Sequence, residues 1–167
     1  KPDSQEICFL PEGNHAAFVK ERSPEVDGKG DIVDEEGRVL GHHDGYWRYT
    51  VGQRRGLGVA MGHPVYVSRI EPDSKRVVVA GGESLWHQGL VAGDWNWFER
   101  PEPGETLLAR IRHNGAPVPC RVGPGEECRV DFVEPAWAVA PGQAVVVYRD
   151  GMVLGGGWIR SAIEGEA

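Results

Sequence analysis

The sequence predicts a mainly β protein: a small α+β region over residues 1–62, followed by a closed antiparallel β-barrel over 63–167. Three observations predict it. Glycine and proline are abundant, 24 and 12 of 167 residues, beside six tryptophans and frequent valine. That mixture favours short strands joined by tight turns. Runs rich in valine and isoleucine recur at short spacing after Gly62. Two dipeptides, Asn114-Gly115 and Asp150-Gly151, stand between such runs, and each suits a type I′ hairpin turn, which needs positive φ at both central positions. Several strands at such spacing are stable when closed into a barrel, because closure leaves no unpaired edge.

Taken in order, Asn14 is a candidate N-cap for a helix over Asn14–Arg22. GDIVD, a turn at Glu35-Glu36-Gly37 and RVLGHH read as a hairpin. DGYWRYTVGQ suits one short helical turn, and GQRRGLG is a glycine-rich basic loop. From Gly62 onward, PVYVSRI and RVVVAG are strands about the turn EPDSK. TLLARIR and PVPCRVG flank Asn114-Gly115, ECRVDFVEP is a further strand, and QAVVVYR and MVLGGGWIRSA flank Asp150-Gly151. The Gly-Gly of RVVVAGGESLW lacks the Lys-Ser/Thr of a phosphate loop and reads as a hairpin turn. The glycines of Gly155–Trp158 sit inside a strand pattern, where they admit a bulge or a close backbone approach.

Composition narrows the function. Hydrophobic content of 40% and charged content of 26% describe a globular domain. No apolar run approaches the roughly 20 residues that span a bilayer, and no basic-then-apolar leader is present. The expected location is the cytoplasm, with no membrane partner. The formal net charge is −7, whereas general nucleic-acid binders are usually basic; any RNA contact must rest on a local basic patch or on residues outside this chain. Three cysteines, Cys8, Cys120 and Cys128, are an odd number without zinc-ligand spacing. His42-His43-Asp44 does not make a metal site, because neighbouring strand residues point to opposite faces. No metal is expected.

Two kinds of residue remain as candidates for chemistry. Cys8 follows Asp3, Ser4, Gln5 and Glu6 and precedes a Pro-Glu-Gly-Asn turn. Either Ile7–Leu10 is a buried strand with an inert thiol, or Cys8 is accessible enough to ionise and react. The basic residues form two groups: Arg48, Arg54 and Arg55 around GQRRG, and Arg110, Arg112 and His113 before Asn114. Arg110 and Arg112 share one face of a strand. Guanidinium forks match phosphate oxygens, so each group is either a phosphate contact or a solvated face balanced by acids.

KPDSQEICFLPEGN, GDIVDEEGRVLGHHDG, YTVGQRRGLGV, PAWAVAPGQAVVVY and VLGGGWI together resemble, in order and across essentially the whole chain, the tRNA-specific 2-thiouridylases of the MnmA/TrmU family. The resemblance implies the central domain and C-terminal β-barrel of such an enzyme, the barrel being similar to those of translation factors. The ATP-pyrophosphatase domain, with its SGGxDS loop and a first catalytic cysteine, matches nothing in this sequence. The resemblance therefore implies a fragment, inactive alone. ATP, with magnesium, belongs to that missing N-terminal domain. Cys8 matches the cysteine that carries a persulfide, received from a sulfur donor protein. In the family ATP adenylates the C2 oxygen of the wobble uridine, the persulfide sulfur replaces it, and the two cysteines close a disulfide. An Arg-Tyr pair that contacts tRNA matches Arg112-His113, with histidine in place of tyrosine. The glutamine of the PGQ phrase matches Gln143, and Arg54 and Arg55 are placed near RNA by their chemistry. The competing reading is a stand-alone tRNA-binding barrel without catalysis, in which Cys8 is core.

Overall fold

The first hairpin forms as the sequence predicts. β1 (Gly30–Val33) pairs antiparallel with β2 (Val39–His43), and Gly37 in the connecting turn has φ +81°, a conformation open to glycine at no steric cost. A 3-10 turn over Tyr46–Arg48 follows. The computed structural model of the chain describes residues 21–22, 28–113 and 115–165. Glu21 and Arg22 are helical; the rest of the helix expected over Asn14–Arg22, and Cys8, lie outside the described residues.

β3 (Tyr66–Glu71) and β4 (Arg76–Ala80) flank the expected turn. They do not join the barrel. The first sheet has the order β2-β1-β4-β3, with β4 parallel to β1 through Ile32↔Val77 and Val33↔Val78. Val77, Val78 and Val79 are all buried, the continuous apolar run of a strand covered on both faces. The chain divides into two compact units between Val79 and Ala80, not at 62/63. The physical reason is that alternation and turn residues mark a strand without saying which sheet it enters. The core of this unit gathers Ile32, Leu57, Val65, Val67, Val77 and Val79.

The Gly-Gly after β4 likewise closes no hairpin. Gly82–Leu85 form a 3-10 turn that leads into β5 (Trp86–Trp97). The second unit is a closed antiparallel barrel made from β5, β6 (Leu107–Arg110), β7 (Val118–Val122), β8 (Cys128–Trp137), β9 (Ala144–Arg149) and β10 (Met152–Glu164), in the order β10-β5-β8-β7-β6-β9. Inward positions alternate along each strand, as Leu107 and Ala109 do on β6, and fill the interior with Leu90, Val130, Val145, Val147, Leu154 and Ile159 among others.

Asp150-Gly151 makes the predicted two-residue turn, with φ +49° and +84°. β6 and β7 pair as the expected hairpin, but β6 stops at Arg110 and β7 starts at Val118, so their connection is longer than two residues; Asn114 lies outside the described residues. Ile111 is buried at the mouth of the barrel and Arg112 is held by a distant strand, so a wider connection wins over the local turn signal. The glycines of β10 work as expected. Trp95 and Trp97 stack at 4.5 Å, and a Cβ on Gly155 would stand 2.5 Å from the Trp97 ring. The bare backbone is what lets the indole lie flat on the strand.

Candidate nucleic-acid interface

β6 ends where β9 begins, since Arg110 lies opposite Val146 in their antiparallel ladder. The segment leaving β6 and the segment entering β9 therefore meet at one rim of the barrel. β8 runs in the same direction as β6, two strands away, and also ends there, with Trp137 opposite Trp86. Topology thus brings Arg112, His113, Gln143, Trp137 and Trp86 to a single rim.

Arg112 is the anchored member. Its guanidinium donates to the Ala138 carbonyl at 2.6 Å and lies 5.0 Å from the centroid of the Trp137 ring. Burial lowers its pKa, but an arginine starts so high that it stays charged. A cation stacked on an indole is oriented before any ligand arrives. His113, next to it, is exposed in the turn. Gln143 has its backbone fixed and its side chain outward. Its N–H donates to Ala140, and its carbonyl accepts from Ile159 at 2.9 Å. Arg110, exposed on the outer face of β6, has no ion pair among the described residues.

Tryptophans complete the rim, and the sequence reading missed them. Trp86 is 54% exposed and Trp158, opposite Ala144, is 51% exposed. Large rings left this open on outward strand positions offer faces on which unpaired bases stack. The available signal was their place at outward positions of the alternation. Elsewhere on the barrel three arginines are spent on carboxylates: Arg149 on Glu99 and Glu105, Arg160 on Asp94, Arg129 on Asp131.

Arg54 and Arg55 belong to the first unit. Both are exposed, and neither has an ion pair among the described residues. Gln53 braces their loop, accepting from the Thr50 N–H at 3.1 Å and donating to the Arg55 carbonyl at 3.0 Å. The histidines of β2 behave as strand neighbours should. His42 is exposed and 2.7 Å from Asp31. His43 is buried between the Lys75 carbonyl and the Gly45 N–H. No group of three or more metal-ligating side chains occurs among the described residues.

Cys120 and Cys128 are buried, unbridged thiols. Burial pushes the Cys120 thiol up to about 12 and raises Cys128 as well. Both are poor nucleophiles, since the thiolate is the reactive form.

Two family models match the chain: a tRNA methyl transferase PRC-barrel domain over residues 16–81 and an aminomethyltransferase β-barrel domain over 87–159. Similar curated proteins include the tRNA-specific 2-thiouridylase MnmA of Rhodopirellula baltica, 49% identical over 98% of this chain and 43% of the relative. That of Carboxydothermus hydrogenoformans is 46% identical over 98% of this chain and 46% of its own length. That of Geobacter metallireducens is 47% identical over 98% and 45%. The chain spans less than half the length of these relatives.

Proposed function

The chain belongs to the family of tRNA-specific 2-thiouridylases, and we propose that it serves such an enzyme in two ways: the barrel rim grips tRNA, and Cys8 carries the sulfur. The observation that carries this reading is identity of 46–49% over 98% of the chain to proteins of that name. The rim supports it. With a net charge of −7, affinity for a polyanion must come from local groups. Arg112 meets phosphate or a base edge, Gln143 and His113 add hydrogen bonds, and Trp86 and Trp158 stack on bases. Arg54 and Arg55 offer a separate contact on the first unit. The location of such an enzyme is the cytoplasm; among the described residues no helix is long and apolar enough to cross a membrane.

The chemistry divides between this chain and the remainder of the full-length enzyme. ATP, with magnesium, is bound by the ATP-pyrophosphatase domain there. Transfer of AMP to the C2 oxygen of the wobble uridine releases pyrophosphate and turns that oxygen into a leaving group. The terminal sulfur of the Cys8 persulfide bonds to C2, and AMP departs. A second cysteine thiolate attacks the Cys8 Sγ and breaks its bond to the transferred sulfur. The products are 2-thiouridine and a cysteine disulfide, which an external thiol reduces. A sulfur donor protein then reloads Cys8. Cys120 and Cys128 do not compete, because burial keeps them protonated.

Peptide mass spectrometry after persulfide-donor treatment of the chain tests the cysteine. The expected result is one added sulfur on Cys8 and none on Cys120; equal labelling of all three thiols removes the special role. Binding of a tRNA transcript at several salt concentrations tests the rim. Affinity should fall linearly on logarithmic axes as counterions are released, and Arg112→Ala should weaken it about tenfold, worth about 1.4 kcal/mol. Unchanged affinity in both Arg112→Ala and Gln143→Ala overturns the rim. A working rim with an unlabelled Cys8 leaves only a tRNA-binding module.

A further inference from the structure

The loop that carries Arg54 holds a cavity that tRNA contact by arginines alone does not explain. Residues from Arg54 to Val65 line a space of about 480 Å³. Arg54 and His63 are its charged or titratable lining residues, and among the described residues no carboxylate lines it. That is unusual in a chain with 25 acidic residues.

The backbone is equally one-sided. Among the described residues no N–H from Arg54 to Val65 makes a close hydrogen bond to a protein acceptor; the turn at Arg55-Gly56 holds the Leu57 N–H only loosely towards the Arg54 carbonyl, and Pro64 has no N–H to donate. Ordinarily the N–H groups of a folded segment find partners. Here Gly56, Gly58 and Gly62, at φ +74°, +70° and +74°, turn the chain repeatedly, so no ladder or helix forms. Successive amides left open by such turns make anion-binding concavities.

The loop is not loose. Gly52 N–H donates to the Val67 carbonyl at 2.8 Å, and Val67 N–H donates to the Gln53 carbonyl at 2.9 Å. Leu57 and Val65 are buried in the core of the unit, with Val59 and Met61 packed against it. The cavity therefore has an anchored apolar floor beneath a rim of amides and one guanidinium. Its volume falls in the range of small-ligand sites, about 300–1,000 Å³. The floor suits a sugar and base, and the rim suits the phosphate they carry.

The geometry points to a phosphate-binding pocket in the Arg54–Val65 loop that takes one nucleotide unit, its phosphate on Arg54 and the open amides and its nucleoside over Leu57, Val59 and Met61. The same chemistry has two sources, a phosphate of bound RNA or a free mononucleotide. Only the RNA source rests on the functional reading above.

Amide spectra of the ¹⁵N-labelled full chain test this at matched ionic strength, with inorganic phosphate, AMP and a tRNA transcript as probes. Phosphate and AMP should both shift the Gly56, Gly58 and Gly62 resonances, with AMP binding at least about tenfold tighter because it also covers the floor. Arg54→Ala should abolish these shifts while its other resonances remain in place. Arg76→Ala, an equal loss of charge elsewhere on the unit, should keep them. If Arg54→Ala also weakens tRNA binding and lowers its salt slope by about 1, the phosphate comes from RNA. If it weakens AMP alone, the ligand is a free nucleotide. Absence of phosphate-dependent shifts in the loop, or their persistence in Arg54→Ala, overturns the pocket. Loss of the Arg112→Ala effect on tRNA, with these shifts intact, sinks the rim and leaves the pocket standing.

Discussion

The two units handle their polar groups in opposite ways. The first is an open sheet of strands four to six residues long, and its connection from β2 to β3 runs from Asp44 to Val65. That connection has few ladder partners, so arginines and amides there face water or a ligand. The second unit closes on itself with strands as long as the thirteen residues of β10. Every edge is paired, and a polar side chain at a strand end is fixed by its neighbours, as Arg112 is by Ala138 and Trp137. Closure yields a preset contact; openness yields an adaptable one.

The buried histidines show the reverse contrast at the scale of one ring. In the first unit His43 has both nitrogens used: Nε2 donates to the Lys75 carbonyl at 3.1 Å and Nδ1 accepts from the Gly45 N–H at 3.2 Å. In the barrel His87 is buried with an Nδ1 that meets no partner among the described residues. Burial lowers the pKa of both, but only His43 gains hydrogen bonds in return.

The largest effect should come from filling a glycine of the barrel. In Gly155→Ala the new Cβ meets the Trp97 ring and, at 2.7 Å, the Asn96 carbonyl oxygen. Urea denaturation should show a loss of about 3 kcal/mol. In Gly58→Ala the space is open, and only the positive φ costs, about 1 kcal/mol. Equal losses would break the distinction between a rigid barrel and an accommodating loop.

Next comes the histidine pair. His43→Leu strands a buried N–H and a carbonyl and should cost about 2 kcal/mol, whereas His87→Leu removes an already unpaired atom and should be neutral or stabilising. The pH dependence follows from the same groups. Above an unfolded-state pKa of about 6.5, both histidines are neutral folded or unfolded, and neither affects stability. As pH falls from there towards their lowered folded values, the unfolded chain takes protons first, so stability declines. Melting temperatures between pH 7 and 5 should fall, and His87→Leu should flatten part of that slope. A flat profile in the parent chain would show that both rings reach solvent.

The smallest effects belong to the arginines. Arg112→Ala should lose about 1 kcal/mol of stability with its indole and carbonyl contacts. Arg54→Ala should change stability by less than about 0.5 kcal/mol. A destabilised Arg54→Ala would mean that the loop arginine is structural.

Much of the fold was legible because its signals are local. Asp150-Gly151 fixes a turn through backbone conformations that few residues adopt, and the alternation on β6 and β9 marks which side chains go inside. Of the rim, Arg112, His113 and Gln143 were picked out by their resemblance to family phrases, and Cys8 likewise, although it lies outside the described residues. Trp86, Trp137 and Trp158 were not, because the alternation that marks an outward position does not say which outward rings gather at one rim. The hairpin between β6 and β7 was legible from Asn114-Gly115, but the length of its connection was not, because Arg112 is held by Ala138, 26 residues along the chain.

By itself the sequence determined strands, turns and the family, since each rests on residues near one another or on their identity. Only the tertiary structure decided that β4 pairs with β1 and carries β3 into the first sheet, that one arginine lies on an indole, and that loop amides without close partners surround a cavity lined, among the described residues, by no carboxylate. Those outcomes depend on which distant surfaces meet, and pairing energy is gained only when the whole sheet has closed.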